Sequence, residues 1–403
     1  MPTVTSDAPR ERLPIAALLA LAMTGFICIM TETLPAGLLP EIAQGLAVSN
    51  ALAGQTVTAY AFGSLVAAIP LTLATAGWRR RRVLLATLLG FLLFNTLTAL
   101  SSSYTLTLIA RLAAGAAAGL AWSLLAGYAR RMVVPRLQGR AMAVAMIGTP
   151  VALSLGVPLG TWLGGLLGWR LAFAAMSVLT LGLIVWVMAK VPDYPGQTSG
   201  QRLPLRRVLQ TPGIRAILAV VFTWMLAHNV LYTYIAPFVA QAGLREHVDL
   251  VLLTFGAASL LGIWITGRIV DHSLRRAVLA SLATFAAVAL LLGLKSDSSL
   301  VQYLGVFVWG MTFGGAATLL QTALADTAGT GADAALAMNV VTWNSAIAGG
   351  GILGGVLLEA FGAQSLSWVV LALALSALGI ACSARRHGFP AGTRATDSAV
   401  LSH

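Results

Sequence analysis

Residues 14–39 read PIAALLALAMTGFICIMTETLPAGLL, a stretch with one charged side chain, Glu32. Wound as a helix at about 1.5 Å per residue it reaches roughly 39 Å, enough to cross a hydrocarbon layer of about 30 Å. Its apolar residues lie on every side rather than on one stripe, which marks a helix with no aqueous face. Runs of the same kind recur near 50–76, 83–101, 104–129, 141–166, 170–190, 214–240, 249–270, 277–294, 299–325, 334–360 and 365–384. With 58% hydrophobic and 9% charged residues, the chain reads as an all-α polytopic membrane protein of twelve spans. In lipid each span must satisfy its own backbone polar groups. The first run exceeds a signal-peptide core and is followed by eleven others, so it reads as a retained helix.

The basic residues test that count. Twenty-one of the 25, among them Arg10, the arginines at 79–82, Arg136, Arg202, Arg215 and Arg394, fall on the side that carries both termini. The other side receives Arg170, Arg245 and Lys295, and Arg111 lies inside the fourth span. Both termini are therefore expected in the cytoplasm, and the net charge of +12 reflects topology and anionic headgroups, with no nucleic-acid partner.

The longest polar interval, 192–213, separates an N-terminal six-helix bundle at 14–191 from a C-terminal one at 214–385, with tails at 1–13 and 386–403. The halves repeat weakly: RRVLLA at 81–86 has its counterpart in RRAVLA at 275–280. Two such six-helix units are the expectation for a secondary transporter. Cys28 and Cys382 both fall within spans, so no disulfide is expected.

TETLPAGLLPEIA at 31–43, RLAAGAAAGLAW at 111–122, GRAMA at 139–143, GVPLGTWLGGLLGWRLAF at 156–173, AHNVLYTYIAPF at 227–238 and GRIVD at 267–271 resemble, in order and placement, the major facilitator superfamily, specifically its twelve-helix drug:proton antiporter branch. The resemblance runs over nearly the whole chain and looks closest to bacterial sugar efflux transporters. It implies the major facilitator fold, with two pseudo-symmetric six-helix bundles in a bacterial inner membrane. It also implies a monomer whose partners are the lipid bilayer, protons and a small molecule, and which needs no cofactor. Export of sugars or sugar-like compounds is the expectation; the alternatives are a multidrug, chloramphenicol or nucleoside exporter and, more remotely, a non-transporting membrane sensor.

A carboxylate at mid-span costs about 2.5–3.5 kcal/mol on insertion scales, which favours protonation or a nearby cation. Glu32 lies about 12 Å below the outer end of the first span and Arg111 about 10 Å below that of the fourth, so their depths match. Proton exchange at Glu32, biased by Arg111 at the position resembling the family's proton-linked arginine motif, is one reading; a static pair that fixes helix packing is the other. Gly115 and Gly119 follow Arg111 at i+4 and i+8 and admit a close neighbour helix.

Trp224, His228 and Tyr232 repeat at i, i+4 and i+8, with Asn229 beside them, so one face of the seventh span walls a substrate cavity in one reading and is a packing surface with a satisfied histidine in the other. Thr31, Tyr60, Trp122, Gln321, Asn339, Trp343 and Asn344 are further cavity candidates. Gly156, Gly160 and Gly164 form a small-residue stripe interrupted by Pro158 and resemble the family's antiporter motif, which implies export; by themselves they are a helix-packing surface. Gly350, Gly351, Gly354 and Gly355 offer a similar surface on span eleven. Arg268, Asp271, Arg275 and Arg276 match the family's gating motif. At the aligned first-half positions stand Ala74 and Gly77, so that lock is expected to be weakened or built differently. Phosphate-loop, metal-cluster and nucleophile-elbow patterns are absent from the sequence, which argues against an enzyme.

Overall fold

The computed structural model describes residues 12–196 and 205–390; Arg10, Arg202, Arg394, most of both tails and part of the 192–213 linker lie outside them. Among the described residues the structure is helical, and eleven helices are long and apolar enough to cross a membrane. They are α1 (Ile15–Gly37), α2 (Asn50–Ala74), α3 (Arg80–Leu100), α4 (Tyr104–Arg131), α5 (Gln138–Leu167), α6 (Trp169–Lys190), α7 (Ile214–Thr233), α8 (Val248–Leu294), α9 (Ser299–Ala328), α10 (Ala332–Phe361) and α11 (Gln364–Ser383). At 47 residues α8 would run about 70 Å, twice what one crossing needs. It breaks at Ser273, whose φ of −146° and ψ of 34° are not helical. The two arms correspond to the expected eighth and ninth spans without a separate connector, which accords with twelve crossings.

Proline and glycine divide three more spans. The α5 helix contains a π-helical segment, Ala152–Gly156, between Pro150 and Pro158. The seventh span, expected to reach 240, stops at Thr233 and resumes as Ile235–Val239. Near its middle α9 breaks at Gly315.

The chain forms two compact units, Met1–Gly200 and Gln201–His403. Each pairs its helices in the same order: α1 with α5, α2 with α4 and α3 with α6; then α7 with α10, and α8 with α9 and α11. Glycines set the closest crossings. A Cβ on Gly63 would strike the Leu112 carbonyl and one on Gly115 the Tyr60 carbonyl, so α2 and α4 touch backbone to backbone. The α8–α9 crossing repeats this with Gly262 on Met311 and Gly310 on Phe255. Close approach of this kind is how small residues hold helices together where lipid is as apolar as the side chains.

Serine caps start α2, α4 and the first part of α9: Ser49, Ser103 and Ser298 accept from Leu52, Leu106 and Val301. The first residue before α3 is Arg79, which offers no side-chain cap. The segment after α6 supplies one instead. The Arg81 amide donates to Asp193 Oδ1 at 3.1 Å and the Arg80 amide to the Tyr194 carbonyl at 2.8 Å. Arg79 Nε pairs with Asp193 Oδ2 at 2.5 Å, Tyr128 Oη donates to the Pro192 carbonyl at 2.6 Å, and Arg131 Nη1 donates to the Pro195 carbonyl at 2.9 Å. Residues 191–196 thus strap the ends of α3 and α4.

Candidate functional site

In the first unit Arg111 is fully buried on α4. Its Nε donates to the Thr56 carbonyl at 3.2 Å and its Nη2 to the backbone carbonyl of Glu32 at 3.5 Å. The guanidinium lies 4.9 Å over the Tyr60 ring and 5.6 Å from that of Phe173. Its Nη1 is buried without a partner. The Glu32 side chain is only partly buried, and no ion pair joins it to Arg111 among the described residues. The two expected members do meet, but through main chain and ring faces rather than as a carboxylate–guanidinium pair. A cation whose contacts are neutral carbonyls and π-faces keeps them whether or not the neighbouring carboxyl is charged.

The flanking candidates are packed rather than open. Tyr60 is fully buried and donates to the Cys28 carbonyl at 2.9 Å. Thr31, also fully buried, accepts from Asn95 Nδ2 at 3.0 Å and so ties α1 to α3. Trp122 is half-buried near Gly25. Gly115 and Gly119 pack on the backbone of α2 around Tyr60 and Ser64. Cβ atoms on Gly156, Gly160 and Gly164 would meet Met30, Leu34 and Leu38, and Pro158 is buried beside them, so this stripe is the α5 surface against α1.

In the second unit the α7 stripe acquires partners that the sequence reading missed. The His228 ring stacks on Phe313 at 3.5 Å between centroids, with Tyr232 at 5.1 Å, Trp309 at 5.3 Å and Phe255 at 5.7 Å. Phe255 lies on the first arm of α8; Trp309 and Phe313 lie one turn apart on α9. Trp224 is fully buried outside these ring contacts. The indole Nε1 atoms of Trp224 and Trp309 and Nδ1 of His228 are buried without hydrogen-bond partners. Buried polar atoms are ordinarily satisfied, so this cluster keeps donor and acceptor capacity inside an aromatic wall.

The other cavity candidates do not join it through polar contacts. Asn229 donates to Met225 and Asn344 to Val340, each one turn back on its own helix. Asn339 is buried with an unpartnered Oδ1, Trp343 is half-buried, and Gln321 is exposed. Gly350 packs on Asn229, and Gly354 on Tyr234, fixing α10 against α7.

Of the gating candidates, Arg268, Asp271 and Arg276 are exposed, and Arg268 lies over the Trp264 ring at 3.6 Å. Arg275 caps the end of α11: its Nη1 donates to Ala381 at 3.1 Å and Phe389 at 2.8 Å, and its Nη2 to Cys382 at 3.1 Å. Arg81, its counterpart in the repeat, reaches the Val191 carbonyl past the end of α6 at 3.5 Å. Metal-binding groupings of His, Cys, Asp and Glu are absent among the described residues.

A family model described as Major Facilitator Superfamily matches residues 21–348. The chain is 32% identical over 356 residues to the purine ribonucleoside efflux pump NepI of Escherichia coli (strain K12), an alignment covering 87% of this chain and 89% of that protein. The NepI proteins of Shigella sonnei (strain Ss046) and Shigella flexneri align with the same identity and coverage.

Proposed function

Because this chain belongs to the major facilitator superfamily, a family of transporters and not enzymes, we propose that it exports purine ribonucleosides from the cell in exchange for protons. The observation that carries this reading is the end-to-end similarity to pumps that bear that name. It moves the expected cargo from free sugars to a sugar joined to a base. The second unit suits the base: a purine is a flat π-system, and stacked aromatic faces with unsatisfied indole and imidazole nitrogens can hold such a ring and read its edge.

Glu32 is the proton carrier in this mechanism. It is the one carboxylate deep in the first unit's spans, and it lies beside a cation whose other partners are uncharged. Protonation removes its charge before the site reorients; release on the cytoplasmic side restores it. Alternation between the two accesses proceeds by movement of the six-helix units. One proton falling through about 100 mV supplies roughly 2.3 kcal/mol, enough for an approximately 50-fold solute gradient.

Proteoliposomes with an acidic lumen test this. Wild type accumulates external labelled inosine, Glu32→Gln does not, and Glu32→Gln still equilibrates inosine when no gradient is imposed. Accumulation by Glu32→Gln at the wild-type level removes Glu32 from coupling. Transport of arabinose or a thiogalactoside but of no purine nucleoside returns the cargo to sugars.

A further inference from the structure

The arginines at 79–82 read in sequence as topological charge, but Arg80 is set apart from the others. It is 9% exposed, its Nη2 donates to the Ala76 carbonyl, and its Nε is buried with no partner. The nearest strap carboxylate is already engaged, since Asp193 takes Arg79 and the Arg81 amide. No ion pair reaches Arg80 among the described residues. Beside it is a cavity of about 60 Å³ within the first unit, bounded by Thr72, Ser123, Tyr128 and a second cation, Arg131, close enough to repel Arg80.

Two guanidiniums converging on one cavity, one of them buried with unspent donor capacity, form an arrangement that like charges oppose. A buried charge is retained where an opposite charge and hydrogen bonds compensate it. No carboxylate of the described structure does so here. One water needs about 10–15 Å³ of such volume, so the cavity takes on the order of four waters, or one tetrahedral oxyanion. Planar guanidinium forks match phosphate oxygens in pairs.

We propose that this cavity is a binding site for a phosphate-type oxyanion, held between Arg80 and Arg131 beneath the 191–196 strap. The anion is either free phosphate or the headgroup of an anionic phospholipid, in which no choline neutralises the phosphate, and the two sources are separable.

The test uses the full chain in nanodiscs of phosphatidylcholine, with or without phosphatidylglycerol, and with inorganic phosphate or chloride at equal ionic strength, followed by thermal unfolding. Saturating phosphate or phosphatidylglycerol should raise the wild-type midpoint by about 5 °C over the chloride control. The rise should vanish in Arg80→Gln, shrink in Arg131→Gln and persist in Arg82→Gln. In phosphatidylcholine discs with chloride, Arg80→Gln should be at least as stable as wild type, because it removes an uncompensated charge. A response to phosphate in pure phosphatidylcholine assigns the site to a soluble anion; a response to phosphatidylglycerol alone assigns it to a headgroup. The proposal fails if neither anion stabilises wild type, if Arg80→Gln responds like wild type, or if Arg80→Gln is destabilised in the phosphatidylcholine discs with chloride.

Discussion

Removing the Asp193 carboxylate should loosen the start of α3 by a calculable amount. Its Oδ1 accepts the Arg81 amide at 3.1 Å, one of the first-turn donors that Arg79 leaves without a side-chain cap. Loss of a helix N-cap costs about 1 kcal/mol. Its Oδ2 pairs with Arg79, but that side chain is 54% exposed against 15% for Asp193, so solvent screening holds this pair to about 0.5 kcal/mol. Asp193→Ala therefore gives up about 1.5 kcal/mol of local stability, roughly a 12-fold rise in the opening of the strap. Asn caps about as well as Asp, so Asp193→Asn loses only the ion pair, roughly a 2-fold effect. Hydrogen exchange resolved at the amides of Arg80 and Arg81 reads both values directly, with amides of α9 in the second unit as reference. Unchanged exchange in Asp193→Ala refutes the capping argument. Equal acceleration across the whole first unit refutes its locality.

Three further outcomes follow from packing. Gly115→Leu should cost about 3 kcal/mol or more in thermal unfolding, since even its Cβ overlaps the Tyr60 carbonyl, whereas Gly182→Ala, whose Cβ meets nothing within 4 Å, should be neutral or stabilising. Thr31→Val should cost about 1–3 kcal/mol by stranding the buried Asn95 amide, and Thr31→Ser should restore most of it. Arg275→Gln should speed limited tryptic cleavage after Arg385 and Arg386 about 10-fold, because about 1–2 kcal/mol of charge-assisted bonding to Ala381, Cys382 and Phe389 is lost; Arg275→Lys should rescue only in part, since an ammonium lacks the fork.

Hydropathy made the spans legible, because twelve apolar runs in a lightly charged chain admit few other readings, and the arginine alternation agreed with that count. Glu32 and Arg111 stood out for the same reason: a charge inside such a run has strong contrast. Phe255, Trp309 and Phe313 had none, being aromatic residues among other apolar ones, although Trp309 and Phe313 at i and i+4 beside Gly310 and Gly314 were an available signal. Where the first-half lock was expected to be weakened or built differently at Ala74 and Gly77, Arg79 pairs with Asp193, 114 positions away, and no local pattern announces a pairing at that separation. Thr31 lies about 100° around the helix from Glu32 and faces α3, where it accepts from Asn95; that partner, 64 positions away, has no local signal in the sequence.

The π-helical turn at Ala152–Gly156 bears on how the fifth span could tolerate insertion and deletion. Gly148, Gly156 and Gly160 all face α1, and Gly164 faces Leu38 just past its end. Yet eight α-helical steps of about 100° would turn Gly156 some 80° away from Gly148. A π turn absorbs one residue with little added rotation, so those eight steps act as about seven and return the two glycines to within roughly 20° of each other. Deleting one residue from this wide turn would leave seven regular steps and the same offset of roughly 20°, so both glycines would keep facing the first helix, whereas straightening the turn with every residue kept would rotate Gly148 some 80° off it.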